Sequence, residues 1–342
     1  MIFIRNKKIR LILVLILSAT AIIGWWAYDM MLSPNTSFEE KNQVILIRHE
    51  SDLDSWLASN ESNFIKDKGS FRRIASLKKF TKTKKGRYVI NKGASNQTII
   101  NKLRSGNQDG LTIRIDDVHT LPKLAGRLGT KLMYDSTAFM TAFLNDSIQQ
   151  SYGCNTYTLP SLIIPDTYEF FWTMTPDEFL KRMKKVSDQY WTEEKIRRAQ
   201  EMNMSRSEIS TLASIVKSET AKVEEAPKIA GLYLNRLRIG MALQSDPTAV
   251  FGREVHAERV YLSDLQNDSP YNTYLHAGLP PGPIDFSERI YLDAILNAEK
   301  HSYIYMCAQP NGTGYHNFSK TLDQHNVHRR EYTQWLEKKG IR

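Results

Sequence analysis

Residues 212–248 read LASIVKSETAKVEEAPKIAGLYLNRLRIGMALQSDPT, and this stretch decides how the second half of the chain folds. Apolar residues recur at three- and four-residue steps, as on one face of an amphipathic helix: Ile209, Leu212, Val216 and Val223. Glu219 falls on the same face. A carboxyl group aimed at an apolar surface is costly to ionise, so its pKa should rise and it becomes a candidate proton donor. The structural alternative is a helix-edge Glu that pairs with Lys222 or with a buried Arg.

The ends of the helices in this stretch can also be predicted. Ser205 and Glu208 have the spacing of a capping box, which predicts a helix start before the Glu219 face. A second helix is expected over residues 229–237, after Pro227 and before a stop at Gly240. The following QSDPT, with Asp246 before a proline, indicates a turn or a new helix start.

The first thirty residues have the pattern of a membrane anchor. A basic flank precedes a stretch without charge from Leu11 to Tyr28, which spans roughly 27 Å as a helix and is close to the thickness of a bilayer core. A cleaved signal peptide is the alternative, but bulky aromatic residues stand where a small-x-small site would be expected. We therefore predict a basic flank over residues 1–10, a single-pass transmembrane helix over 11–31 and a linker over 32–42.

Orientation follows from the basic flank, which keeps the N-terminus in the cytoplasm and the rest of the chain outside the membrane. That location excludes most nucleotide, NAD and DNA chemistry. The chain has 342 residues with 41% hydrophobic and 24% charged residues, an ordinary globular composition that suggests two domains.

The net charge of +9 includes one dense run outside the flank: Lys78, Lys79, Lys82, Lys84, Lys85 and Arg87. This run could attract anionic lipid or an acidic polymer, or it could be a solvated loop. No pattern supports nucleic acid binding. Cys154 and Cys307 are far apart in the sequence, and we expect separate small core residues, although an exported domain would permit a disulfide.

An N-terminal α/β region is predicted over residues 43–118. Within it, residues 86–116 parse as a strand, a turn at Gly93, a helix over 96–104 and a second strand over 111–115. This Y-V-x-x-G strand with a capped helix resembles the LysM type of glycan-binding module. Residues 119–204 are expected to form a mainly helical connecting region with two helical segments in 121–150, and residues 205–342 a further domain.

Seven motifs occur in a characteristic order: GRYVI…LRSGNQ, PDTYEF, LASIV-x-x-ET, IAGLYLNRLRIGM-x-LQSDPT, YNTY, GLPPGPI and YHNFS…HN. Together they resemble the YceG-like family of endolytic murein transglycosylases over residues 43–337. The resemblance implies that Glu219 is the catalytic glutamate and that 205–342 is the catalytic domain. Members commonly carry an acidic residue where this chain has Lys217. That position points away from the Glu219 face of the helix, so we interpret the first acid as dispensable.

The chemistry of the implied reaction fits a single acid. Hydrolysis of a glycoside ordinarily needs two carboxyl groups, whereas closing the muramic acid's own 6-hydroxyl onto C1 needs no activated water. One carboxyl can then serve as general acid and afterwards as general base, leaving a 1,6-anhydromuramoyl end. Asp246 is the nearest candidate for an electrostatic or substrate-orienting second acid, and a turn cap is its structural alternative.

Candidate glycan-binding residues cluster in the same half of the chain: Asn235, Gln244, Ser245, Asp246, Thr248, Tyr271, Asn272, Thr273 and Tyr274. For each of them the alternative is a hydrogen bond that fixes loop geometry. Three histidines, His316, His325 and His328, suggest zinc only weakly, since no Cys or Glu stands at a known ligand spacing. We expect no metal and no organic cofactor.

The sequence as a whole predicts an α+β protein: an N-terminal transmembrane helix, a small LysM-like subdomain and a mixed α/β catalytic domain with Glu219 on a helix. Expected partners are peptidoglycan glycan strands and the bacterial cytoplasmic membrane, with peptidoglycan synthases as candidate partners and a role in ending nascent strands implied by the resemblance. Two other functions stay open, a lysozyme-type hydrolase and a catalytically silent cell-wall or division scaffold.

Overall fold

The computed structural model describes residues 7–116, 118–251, 261 and 263–340, and the chain folds as two compact units. The first comprises the residues up to Leu111 together with Glu169–Met174, and the second comprises Thr112–Tyr168 and the chain from Thr175. Helices and short strands are mixed in both, so the predicted α+β class is confirmed. The start of the predicted basic flank, with Arg5, lies outside the described residues, and the functional subdivision of the chain stays a prediction.

The first unit is built on a two-stranded sheet and four helices. Its elements are α1 (Lys7–Leu32), β1 (Asn42–Ile47), α2 (Leu53–Ala58), α3 (Lys68–Leu77), β2 (Gly86–Asn91) and α4 (Asn96–Ser105). β1 and β2 are antiparallel with Val44 opposite Val89. Helix α3 begins at Lys68 because the Asp67 carboxylate accepts hydrogen bonds from the backbone amides of Gly69 and Ser70. The helix predicted over 96–104 is confirmed, with Ser95 as its cap.

Helix α1 is the one described helix that is long and apolar enough to cross a membrane, which is consistent with an anchor. Its C-terminal end belongs to the first unit, since Met30 and Met31 pack against the core and Asn96 Nδ2 donates to the Met30 carbonyl over 2.9 Å. The predicted linker also lies against this unit. Asn35 is buried there and its side chain exchanges hydrogen bonds with the backbone of Asp67.

The second unit is mainly helical. Strands β3 (Leu111–Arg114) and β4 (Thr167–Phe170) pair with each other. The remaining elements are α5 (Leu121–Lys131), α6 (Ser136–Phe143), α7 (Asp146–Ser151), α8 (Pro176–Tyr190), α9 (Glu193–Glu201), α10 (Arg206–Glu219), α11 (Ala226–Arg238), α12 (Asp246–Val250), α13 (Arg289–Leu296), β5 (Tyr305–Ala308), β6 (His316–Ser319) and α14 (Leu322–Lys338). Residues 121–150 hold three helices where two were predicted, because Asp135 and Asn145 each cap a new start.

Helix α10 is the centre of the second unit and packs against α11 and α13. The predicted capping box is confirmed, with Ser205 and Glu208 bonded reciprocally at the start of the helix. The prediction that Val223 continues the apolar face is wrong, because α10 ends at Glu219. Thr220 has extended backbone geometry, and its hydroxyl accepts a hydrogen bond from the amide of Lys222 over 2.9 Å, which turns the chain away.

Helix α11 starts at Ala226 with Pro227 in its first turn and is followed by Gly240 at a φ of 67°. In its middle, Gly231 faces the backbone carbonyl of Glu299, and a methyl group added there would lie 2.2 Å from that oxygen. The backbone at Glu299 therefore approaches α11 so closely that only glycine fits at position 231.

The two cysteines are both free thiols, so the prediction of separate residues is confirmed. The prediction that they are core residues is wrong, since Cys154 and Cys307 are only half-buried. Cys154 donates from its thiol to the carbonyl of Gln149, which holds it at the surface end of α7.

We expect Gly231→Ala to lower the free energy of unfolding by about 1–3 kcal/mol, because the added carbon overlaps the Glu299 carbonyl. Gly126→Ala in α5 is the matched control. It meets no atom within 4 Å, and the higher helix propensity of alanine should stabilise that variant by up to about 1 kcal/mol. Chemical denaturation of both variants measures the difference, and two changes of the same sign would contradict the packing argument.

Candidate active site

Three segments of the second unit meet at the carboxyl group of Glu219. Helix α10 ends on Glu219 itself, α11 contributes Tyr233, and the segment before α12 contributes Ser245. The Tyr233 hydroxyl donates to Glu219 Oε1 over 2.9 Å, and the Ser245 hydroxyl donates to the same oxygen. The second carboxyl oxygen, Oε2, is not held by either hydroxyl.

The surroundings of Glu219 disfavour its ionised form. The residue keeps a partial opening to solvent, but its two hydroxyl partners are each about 1% exposed. Burial is the largest influence and raises the pKa of Glu219, while the hydrogen bonds from Ser245 and Tyr233 oppose that rise without cancelling it. Its place at the C-terminal end of α10 acts in the same direction as burial, because the helix carries partial negative charge there.

Charged neighbours change the pKa of Glu219 less than burial does. The negative charge of Asp246 raises the pKa of Glu219 further, and His316 lowers it. None of the ion pairs found among the described residues involves Glu219. The structural alternative of a Glu paired with Lys222 or a buried Arg is therefore wrong. A carboxyl group with a raised pKa and neutral hydrogen-bond donors holds its proton closer to neutral pH, as a general acid requires.

Asp246 is a second carboxyl group at the site. It is the first residue of α12 and is exposed, and its Oδ1 accepts a hydrogen bond from the Tyr274 hydroxyl over 2.5 Å. Burial, together with this bond to Asp246, raises the pKa of Tyr274, so the phenol remains a donor. Tyr274 thus fixes the direction in which the Asp246 carboxylate faces.

A buried hydroxyl network beneath these groups positions Ser245. Its backbone amide donates to Thr273 Oγ1 over 3.0 Å, and its carbonyl accepts from Thr248 Oγ1 over 2.6 Å. The two threonine hydroxyls lie 2.7 Å apart. Gln244 precedes this network with a φ of 48°, and its amide donates to the Thr273 carbonyl while its side chain stays exposed. Thr248 and Thr273 therefore support the site from below.

Two of the predicted glycan-binding residues hold loops together instead of facing Glu219. Asn235 donates to the backbone carbonyls of His301 and Tyr303 over 2.8 and 3.1 Å. Asn272 is fully buried and donates to the carbonyls of Leu265 and Asn267. Their amides are occupied by the protein's own backbone, which is the structural role considered for them from the sequence.

Tyr233, Glu225 and His316 are the site residues that sequence reasoning missed. The imidazole Nδ1 of His316 lies 2.9 Å from Glu225 Oε2, and the backbone amide of His316 donates to the same carboxylate. The available signal for Tyr233 was a single hydroxyl on a mainly apolar helix face. A pair such as Glu225 and His316, 91 positions apart in the chain, leaves no local signal.

Lys217 has partners of its own, away from Glu219. Its Nζ lies 3.0 Å from Asp285 and 2.9 Å from Glu288, and it donates to the Phe286 carbonyl over 2.8 Å. The predicted orientation of this side chain away from the Glu219 face is confirmed. Lys217 therefore ties α10 to the segment before α13.

The three histidines considered for zinc have separate surroundings. His316 pairs with Glu225, His325 stacks on Tyr305, and His328 lies 3.5 Å from Glu331. Within the part of the chain that the structure describes, no group of three His, Cys, Asp or Glu side chains is arranged to hold a metal ion.

The family to which these motifs belong can be tested over most of the chain. Residues 48–331 match the profile of the YceG-like family. The chain belongs to the YceG-like family. A Bacillus subtilis (strain 168) relative named endolytic murein transglycosylase is 29% identical over 288 residues, which cover 80% of this chain and 79% of the relative.

Further similarities lie within the same family. A Streptococcus pneumoniae serotype 2 protein of the same name is 27% identical over 274 residues, and the matched region spans 49% of that longer protein. A 2.6 Å crystal structure of a YceG-like protein from Listeria monocytogenes superposes with a TM-score of 0.56 at 26% identity, covering 84% of this chain and 99% of the other.

The raised pKa of Glu219 predicts a pH-dependent effect of Glu219→Gln on stability. A carboxyl whose pKa is raised on folding stabilises the fold fully below the unfolded pKa, and that contribution is lost as the pH rises through the folded pKa. Glutamine can still accept from Ser245 and Tyr233 but cannot ionise. We therefore expect the Tm difference, variant minus wild type, to grow between about pH 4 and about pH 9.

Glu201→Gln is the control for this measurement, because Glu201 is also the last residue of a helix but is exposed. Its Tm difference should stay nearly constant over the same pH range. A flat profile for Glu219→Gln as well would show that the carboxyl is not held in its neutral form by the fold.

Proposed function

We propose that this chain is a peptidoglycan lytic transglycosylase that cuts glycan strands internally at the bond between muramic acid and glucosamine residues, with Glu219 as the catalytic acid and base. The observation that carries the proposal is the Glu219 carboxyl itself: burial raises its pKa, its Oε1 accepts hydrogen bonds from two neutral hydroxyls, and none of the ion pairs among the described residues involves it. The family and the names of its curated relatives support the same substrate.

The proposed reaction needs one carboxyl group. Protonated Glu219 donates its proton to the glycosidic oxygen as the bond from that oxygen to C1 breaks. The 6-hydroxyl oxygen of the same muramic acid then bonds to C1, and its proton returns to the Glu219 carboxylate. The products are a 1,6-anhydromuramoyl end and a free 4-hydroxyl on the departing glucosamine. No water is consumed, and the enzyme regains its starting protonation state.

Ser245 and Tyr233 have a positioning role in this proposal. Both donate to Oε1, so the proton to be transferred resides on Oε2. When Glu219 becomes a carboxylate, these two donors stabilise the new charge without a cation that would lower the pKa permanently. Asp246, oriented by Tyr274, would stabilise the positive charge that develops at C1 or orient the sugar.

A lysozyme-type hydrolase is the second candidate, and the presence of Asp246 beside Glu219 favours it. Hydrolysis requires a carboxylate that activates water or attacks C1, and Asp246 is exposed to solvent. The two functions differ in their product, since hydrolysis adds one water to the new muramoyl end.

The remaining parts of the proposal concern location and partners. With α1 as a single-pass anchor in the bacterial cytoplasmic membrane and the N-terminus inside, the catalytic unit would work outside the membrane on nascent strands. The strand–helix segment over 86–116 would act as a LysM-like glycan contact. Peptidoglycan synthases are the proposed partners, because ending a nascent strand requires access to the site of its synthesis.

Glu219→Gln should lower the rate of cleavage of purified glycan strands by roughly 10²–10⁴-fold or more, because the proton donor is removed while the hydrogen-bond acceptor remains. The rate is measured with the full chain in detergent by chromatography of the products. Glu201→Gln, at the exposed end of α9, is the control and should cleave at the wild-type rate. A wild-type protein without any cleavage activity would instead indicate the silent scaffold.

Cleavage in water labelled with heavy oxygen separates the two enzymatic candidates. Transglycosylation should give anhydro ends without label, and Asp246→Asn should slow the reaction without changing that product. Hydrolysis would give labelled reducing ends and would be abolished in Asp246→Asn. Mass spectrometry of the muramoyl ends reads both outcomes, and incorporation of label would reject the transglycosylase proposal.

A further inference from the structure

Three aromatic side chains from distant parts of the second unit form a cluster next to the Asn272–Thr273 pair. Phe251 follows α12, Tyr271 precedes the Asn272–Thr273 pair, and Tyr157 comes from the loop after α7. The ring centroids of Phe251 and Tyr271 lie 4.5 Å apart, and those of Tyr157 and Tyr271 lie 6.5 Å apart. Both ring pairs are tilted, with interplanar angles of 49° and 56°.

The cluster is not a closed part of the core. Tyr157 is 48% exposed, and Phe251 and Tyr271 are both partly exposed. Burial raises the pKa of Tyr271 to about 12, so its phenol remains neutral. Because all three clustered rings stay partly exposed, they leave apolar surface available to a ligand.

The most exposed ring is also firmly placed. The backbone amide of Tyr157 donates to Asn155 Oδ1 over 2.9 Å within a tight turn. Its carbonyl lies against Gly282 in the GLPPGPI loop, so closely that a methyl group at Gly282 would be 1.9 Å from the oxygen. The loop with two consecutive prolines therefore fixes the backbone from which the Tyr157 ring projects.

The cluster is connected to Glu219 through a short structural path. Tyr271 is two residues from Thr273, whose hydroxyl accepts from the Ser245 amide over 3.0 Å, and Ser245 donates to Glu219. With at most about 3.6 Å per residue of chain, this path places the Tyr271 backbone within roughly 20 Å of the carboxyl group. A few sugar units of a glycan strand span that separation.

We propose that Tyr157, Tyr271 and Phe251 form a sugar-stacking subsite that holds the glycan strand a few sugar units away from the bond cleaved at Glu219. The inference rests on the proposed function. Pyranose rings carry apolar C–H faces that stack on aromatic rings, while the strand's hydroxyls and acetamido groups remain solvated. Because the Tyr157 backbone is fixed, the subsite contacts the strand equally before and during bond cleavage, so it adds affinity for the strand without changing the rate of the chemical step.

The parent protein for the binding experiment is the full chain with Glu219→Gln, a substitution that suppresses cleavage. The dissociation constant of its complex with purified glycan strands is measured. Adding Tyr157→Ala should weaken binding about three- to tenfold. Tyr157→Leu, which keeps apolar volume but removes the ring, should weaken binding to a similar degree, and Tyr157→Phe should bind as the parent does. Tyr332→Ala, which removes a ring stacked on Trp335 in α14, is the control and should leave binding unchanged.

In the cleaving protein, Tyr157→Ala should raise KM and leave kcat within about twofold. Parent-like binding by folded Tyr157→Ala or by Tyr157→Leu would overturn the subsite, as would equal weakening by Tyr332→Ala. The two proposals can fail separately. A wild-type chain that binds strands through Tyr157 without cleaving them would reject the enzymatic function alone, whereas normal cleavage with unaltered binding by the Tyr157 variants would reject the subsite alone.

Discussion

The site depends on a carboxyl group whose hydrogen-bond donors are neutral. Burial disfavours the ionised form of Glu219, and both of its donors are hydroxyls that carry no charge. The balance between desolvation and hydrogen bonding therefore leaves the proton more tightly held than in a free glutamate. Three helices and a turn are arranged around this single group, and their packing makes the balance possible.

A cation hydrogen-bonded to Glu219 would favour the carboxylate and lower its pKa. Arg236 is a cation near this site, and its hydrogen bonds go to backbone carbonyls. Arg236 is buried one helical turn beyond Tyr233, but its guanidinium donates to the backbone carbonyls of Ile304 and Leu243 over 2.7 and 2.6 Å. These bonds hold the Arg236 guanidinium against the backbone of two loops. The arginine thus stabilises the segment that carries Ser245 without forming an ion pair that would deprotonate Glu219.

Sequence patterns predicted those features that depend on local chemistry. The start of α10 followed from the Ser205 and Glu208 capping box, but its end did not, because the Thr220 turn depends on one hydroxyl bond. The position of Glu219 on the apolar face of a helix could be predicted from the three- and four-residue spacing of its apolar neighbours. Its donor Tyr233 could not, since a tyrosine on a buried helix face is equally well explained by packing. Asn235 and Asn272 looked like sugar ligands, and only the fold shows their amides bonded to backbone carbonyls.

The lysine two positions before Glu219 illustrates how neighbouring residues on one helix can have independent electrostatics. Successive helical residues are rotated by about 100°, so Lys217 and Glu219 leave the helix on nearly opposite sides. Lys217 is held by two carboxylates and a carbonyl beside α13, where its charge is compensated locally. Lys217 therefore supplies no counter-ion to Glu219. The hydrogen bonding of the Glu219 carboxyl depends on the hydroxyls that α11 and the Ser245 segment bring to it, and Lys217 instead ties α10 to the segment before α13.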